Sequence, residues 1–133
     1  MYYIGIDLGG TKIFAGLVSS EGKLIEKVMV LTRRHRPWEE IGDEIVNCVK
    51  DVVKSAGINL SDVKGIGIGC PGAISRDREI IYIAPNLHWK NVPFRKYLYS
   101  KTNISFKIIW NLAILALISI ISFFSIKYFM LTL

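Results

Sequence analysis

A carboxylate at the end of an apolar run, two glycines, a hydroxyl and an amine stand within six consecutive positions near the start of the chain: Asp7-Leu8-Gly9-Gly10-Thr11-Lys12. Such a set suits a triphosphate. Paired glycines let backbone N–H groups approach phosphate oxygens, Thr11 offers a hydroxyl, Lys12 offers a point charge, and Asp7 can hold Mg²⁺ through water. The plainer alternative is a hairpin turn whose glycines serve only a positive φ.

A second glycine-rich stretch, Gly65-Ile66-Gly67-Ile68-Gly69-Cys70-Pro71-Gly72, contains GxGxxG at Gly67, Gly69 and Gly72. A dinucleotide loop needs a helix opening directly after its glycines, whereas here Pro71 is followed by Ala73-Ile74-Ser75-Arg76-Asp77-Arg78, which has no helical apolar period. Read with period two, Gly65, Gly67 and Gly69 share one face of a single strand, a bare strip against which a helix or ligand can pack closely. Further on, Ala84-Pro85-Asn86-Leu87-His88-Trp89 precedes Asn91-Val92-Pro93. The amide of Asn86 can both donate to and accept from hydroxyl groups, which suits a neutral polyol, and Trp89 is a candidate pocket wall. The alternatives are an Asx turn for Asn86 and a core anchor for Trp89. His88 and His35 are read as surface or structural histidines.

The segment Asp7-Leu8-Gly9-Gly10-Thr11-Lys12 resembles the first phosphate motif of the ROK family, named for its repressors, uncharacterised frames and kinases. The stretch Ala84 to Trp89 looks most like that family's glucokinase-type branch. The resemblance implies the α/β fold of actin-like and hexokinase-like (ribonuclease H-like) ATPases, with ATP and Mg²⁺ in a cleft between two domains. The implied reaction is phosphoryl transfer to glucose or a related hexose. It further implies that Asp7, Gly9, Gly10, Thr11 and Lys12 face the nucleotide phosphates, with Asp7 on Mg²⁺ through water, and that Gly69, Pro71, Gly72 and Asn86 face the sugar. Members are often homo-oligomeric and cytoplasmic. Repressors of the family carry a winged-helix domain before this strand, and only Met1 precedes it here, so a kinase with no nucleic-acid partner is expected.

The resemblance is traced from Tyr2 to about Ile104. Beyond that point the family continues into a strand ending in a Glu-Asn-Asp-Ala-Asn-like stretch, whose Asp takes the proton from the sugar hydroxyl. Here the corresponding residues read Phe106-Lys107-Ile108-Ile109-Trp110-Asn111-Leu112-Ala113, and no Asp or Glu occurs after Glu79. No catalytic residue is therefore assigned, and the expectation is an inactive, incomplete kinase domain over 1–104. An apolar tail over 105–133 follows, expected to be helical. Ile108 to Ile126 is uncharged between Lys107 and Lys127. As a helix it would span about 28 Å, close to the roughly 30 Å of hydrocarbon, which makes 108–126 a candidate membrane span. Frame-disrupted sequence and a buried helix are its alternatives. If the span is a functional anchor, the competing function is a membrane-anchored nucleotide- or sugar-binding module without catalysis.

The elements that position these residues follow from local patterning. Tyr2–Leu8, Ile13–Val18 and Lys23–Leu31 read as three successive strands broken by Gly9-Gly10 and by Ser19-Ser20-Glu21-Gly22, an antiparallel meander. From Pro37 the period changes: Trp38, Ile41, Ile45, Cys48, Val49, Val52 and Ala56 fall along one helical face. Pro37 suits the first helical position, Glu39 and Glu40 complement the macrodipole, and Gly57 supplies a left-handed stop. Val63–Cys70 returns to strand, Glu79–Ile83 forms another, and a helix follows Pro93. The order β-β-β-α-β implies a mixed sheet.

Composition narrows the class further. Apolar residues make up 51% of the 133, and the net charge is +6. The basic run Arg33-Arg34-His35-Arg36 is short, is ended by Pro37 and has no interleaved aromatics, so it reads as a solvated loop rather than a nucleic-acid contact. Cys48 and Cys70 form no CxxC pair and have no neighbouring His, which excludes metal-ligand spacing and leaves reduced, structural thiols.

Overall fold

The computed structural model describes residues 1–110. Strands β1 (Tyr2–Leu8), β2 (Lys12–Ser19) and β3 (Leu24–Leu31) form the expected meander, and helix α1 (Trp38–Ser55) returns the chain to β4 (Val63–Cys70). β4 pairs parallel with β1 on the side away from β2. Such a crossover packs the helix on one face of the sheet.

Alternation decides that face. Ile4, Ile6 and Leu8 stand beside Leu17, Ala15 and Ile13 of β2, and Ile4 and Ile6 stand beside Ile66 and Ile68 of β4. All eight are at most 3% exposed, and they join Ile41, Ile45, Cys48, Val49 and Val52 of α1 in one core. Burying each Ile or Leu contributes about 1.5–3 kcal/mol. On the other face the expected glycine strip is wider than one strand. Gly16, Gly5 and Gly67 are register partners across β2, β1 and β4, and all three are buried.

Helix α1 differs from expectation at its start, where Pro37 is extended (φ −53°, ψ 145°) and caps the helix from outside rather than occupying its first position. Its end agrees, since Gly57 has φ +69°. After β4 come β5 (Ala73–Ile74), β6 (Ile81–Ala84) and β7 (Trp89–Val92), a small antiparallel sheet in the order β5-β6-β7. Of these only β6 was expected. Two-residue β5 and four-residue β7 are too short for a readable period. Helix α2 (Phe94–Thr102) follows Pro93 as anticipated.

The largest departure lies at the expected domain boundary. Phe106–Trp110, assigned above to the apolar tail, is strand β8, which pairs parallel with β4 from Ile66↔Phe106 to Cys70↔Trp110. The central sheet therefore has five strands, ordered β3-β2-β1-β4-β8. Phe106 and Ile108 are buried with the core, and Arg95 of α2 donates from Nε to the Phe106 carbonyl at 2.8 Å and pairs with Glu79. Ile108 to Trp110, the first residues of the candidate span 108–126, thus lie in a strand. The expected helix beyond them lies outside the described residues. Among the described residues no helix is long and apolar enough to cross a membrane.

Candidate functional site

The parallel strands β1 and β4 end side by side, with Asp7 the register partner of Gly69. Ligands of open α/β sheets bind at such carboxyl ends, where the turns leaving the strands diverge. Asp7 is half-buried there. Its charge acts on Cys70, whose thiol is pushed up to about 12 by burial first and by Asp7 second. Cys48 is likewise raised, to about 11, by burial and by Glu44 and Asp51, so both thiols stay protonated at neutral pH.

The turn from β1 to β2 is tight: Gly9 N–H donates to the Lys12 carbonyl at 2.9 Å. Neither Gly9 nor Gly10 has a left-handed φ, which removes the plainer reading of the pair as a positive-φ turn. Close approach takes its place. A Cβ on Gly9 would lie 3.0 Å from the Lys12 carbonyl oxygen, and one on Gly10 would lie 3.3 Å from Asn86 Cβ and 3.8 Å from Arg34 Nη1. Thr11 and Lys12 are exposed. The phosphate-turn candidates and the sugar candidate Asn86, remote in sequence, are thereby in contact range.

Gly72 holds this arrangement from the other side. It has φ +106°, and a Cβ there would fall 2.0 Å from the Ile83 carbonyl oxygen and 2.8 Å from Ala84 Cα. Only glycine lets the chain leaving β4 press onto β6, and β6 runs directly into the 3₁₀ turn Pro85–Leu87 that carries Asn86. Pro71 is half-buried, and its carbonyl accepts the Cys70 thiol at 3.4 Å. Asn86 is exposed, and its side-chain amide makes no hydrogen bond among the described residues, so the Asx-turn alternative does not hold there. Trp89 is 5% exposed and packs on Phe94 with ring centroids 4.9 Å apart, so it is a core anchor. After Pro71-Gly72 comes β5 and not a helix, which rules out the dinucleotide reading of GxGxxG.

Two participants escaped the sequence reading. Thr32, fully buried just past β3, donates from its backbone N–H to the Thr11 carbonyl at 2.8 Å and from Oγ1 to the Gly9 carbonyl at 2.7 Å. It pins both ends of the turn, yet no motif surrounds it; the available signal was a polar residue closing the apolar alternation of β3. Arg34 was read as part of a solvated run, and it is exposed, but its Nη1 also lies 3.8 Å from the point where a Cβ on Gly10 would stand. Arg33 turns the chain there through a left-handed φ of +50°.

The donor set fits a magnesium-bound phosphate chain. One half-buried carboxylate, Asp7, stands beside a turn whose backbone is bare where a Cβ would intrude, and Mg²⁺ commonly takes one or two carboxylates with phosphate oxygens and water. Among the described residues no group of three His, Cys, Asp or Glu forms a self-sufficient metal site.

Among known proteins, the ROK family pattern matches residues 3–118 of this chain, past the limit of about Ile104 traced above. A glucokinase of Streptomyces coelicolor is 33% identical over 93 residues, 70% of this chain and 27% of that protein. A glucokinase of Thermotoga maritima is 37% identical over 100 residues, 74% of this chain and 30% of its own length. The crystal structure of a ROK family glucokinase from Streptomyces griseus, in complex with glucose and AMPPNP, superposes with a TM-score of 0.75 at 28% identity, covering 87% of this chain and 35% of that one. The chain thus spans about a third or less of the curated relatives it matches.

Proposed function

This chain belongs to the ROK family, and from that premise we propose that it is the nucleotide- and sugar-facing portion of an ATP-dependent hexose kinase of glucokinase type. The observation that carries the reading is the convergence of Gly10, in the turn leaving β1, with Asn86, in the 3₁₀ turn leaving β6. A kinase must bring a phosphate donor and a hydroxyl acceptor to one point, and positioning accounts for much of its catalysis.

Each residue then has a role. The backbone N–H groups of Gly10 and Thr11 hold phosphate oxygens, Lys12 adds charge, and Thr11 offers its hydroxyl, while the Gly9 N–H closes the turn on the Lys12 carbonyl. Asn86 orients the sugar, with Gly69, Pro71 and Gly72 fixing the wall behind it. Asp7 would hold Mg²⁺ through water, and the ion when bound neutralises charge on the phosphates.

Proton removal from the sugar hydroxyl needs an aligned carboxylate. None follows Glu79 in this sequence, and Glu79 itself is paired with Arg95. We therefore propose that residues 1–133 bind both ligands weakly and do not transfer phosphate between them. A coupled ADP-release assay should show no glucose-dependent turnover by this polypeptide. Turnover above background that Asp7→Ala abolishes would contradict the proposal.

A further inference from the structure

An open cleft of about 510 Å³ lies beside the phosphate turn, between the loop leaving β3 and the loop joining β6 to β7. Its walls include Arg34, His35, Arg36, His88 and Lys90, and no carboxylate lines it. Of the two arginines, Arg36 is already committed: Nε and Nη2 donate to the Thr32 carbonyl at 3.1 and 2.9 Å, and Nη1 lies 3.5 Å from Glu44. Arg34, His35, His88 and Lys90 make no ion pair among the described residues.

The two loops meet through the imidazoles. His35 and His88 stack with centroids 5.6 Å apart and planes 29° from parallel, across the cleft from one loop to the other. Three left-handed residues, Arg33 (φ +50°), His88 (φ +56°) and Asn91 (φ +51°), shape these loops. The Trp89 indole belongs to the same wall, and its buried N–H has no partner among the described residues. Arg34 Nη1 sits 3.8 Å from the point where a Cβ on Gly10 would stand, so Arg34 borders both the cleft and the phosphate turn. Apart from Arg36, which pairs with Glu44, the guanidinium, imidazole and ammonium groups here form no ion pair among the described residues, and such groups bind phosphate oxygens.

We propose that this cleft is an anion subsite, in which Arg34, His35, His88 and Lys90 take a phosphate group of a small phosphate-bearing ligand. The inference rests on the kinase reading only in treating Gly9–Lys12 as the neighbouring phosphate cradle. Arg34 touches both regions and sets the point at which a phosphate chain passes from one to the other. A nucleotide, a free phosphate chain and a phosphorylated sugar share the chemistry the cleft recognises.

The test is calorimetric titration of the full chain with tripolyphosphate, Mg-ATP, inorganic phosphate and glucose 6-phosphate, in the parent and in R34Q, H88N, G10V and K64Q. Arg34 and His88 are exposed, and asparagine tolerates the left-handed backbone at 88. R34Q should weaken tripolyphosphate about tenfold, the loss of one charge-assisted hydrogen bond, with a smaller loss in H88N. K64Q, the same change of charge near the opposite end of β4, should leave binding unchanged. Equal weakening by K64Q reduces the effect to net charge and overturns the subsite. Binding lost in G10V but untouched in R34Q and H88N also overturns it, while leaving the phosphate turn in place. Binding lost in R34Q and H88N but untouched in G10V upholds the subsite and removes the turn. A parent chain that binds none of the four ligands overturns both. The ligand whose affinity falls most in R34Q identifies the source of the phosphate.

Discussion

The turns at Gly9–Gly10 and at Gly72 leave neighbouring strands of one sheet, and both demand glycine for different physical reasons. A side chain at Gly72 would meet backbone at 2.0 Å, with φ at +106°. At Gly10 the nearest atoms are the side chain and carbonyl of Asn86, at 3.3 and 3.4 Å, and the tip of Arg34, and φ is unremarkable. The Gly72 turn is closed by architecture. At Gly10, bare backbone is held beside two exposed polar side chains, an arrangement that leaves room for a ligand. A shared residue type therefore conceals one position fixed by architecture and one that we propose to be functional.

The contrast is broken most directly by Gly72→Ala. Backbone would have to separate from backbone in a left-handed conformation, so the loss should reach about 3 kcal/mol or more, read from the urea midpoint. An unchanged midpoint would mean that β4 and β6 are not locked together as described.

Thr32→Val tests the buttress beneath the phosphate turn. It removes the Oγ1 donor from the half-buried Gly9 carbonyl at 2.7 Å, for an expected cost of about 1–2 kcal/mol. Serine at the same position should restore most of that loss, since it keeps the hydroxyl.

Gly57→Ala isolates what left-handed backbone alone costs. With φ +69° and open space around the site, the expected loss is about 1 kcal/mol. A much larger value would show that φ and not contact dominates at Gly72 as well.

The smallest stability effect belongs to Gly10→Ala, within about 1 kcal/mol, because flexible side chains can yield by a few tenths of an ångström. Phosphate affinity should nonetheless fall several-fold. A Gly10 variant as unstable as Gly72→Ala would erase the distinction between the two turns.

Much of this is legible in the sequence. Strands β1 to β4 and helix α1 announce themselves through period and punctuation, because each is long enough to bury one face. The tight turn between β1 and β2 is marked by Gly9-Gly10. What escaped was short or tertiary. β7 is four residues long; β8 runs without a break into the apolar stretch that follows Lys107, so it reads with the tail. Thr32 and Arg34 act through contacts that span the chain, as does the tie between Tyr97 and Asp43. There the phenol donates at 2.6 Å, and the carboxylate pushes the Tyr97 hydroxyl up to about 12.

The central claim is that Gly9–Lys12 receives the phosphates of a nucleotide. It is tested most directly by titrating the ¹⁵N-labelled full chain with Mg-ATP while following backbone amides, in the parent and in Gly10→Val. Signals of Gly9, Gly10, Thr11 and Lys12 should move together and saturate in the high-micromolar to millimolar range, roughly −4 to −6 kcal/mol, and the valine variant should lose the response. Shifts confined to other residues, or an undiminished response in Gly10→Val, would contradict the account.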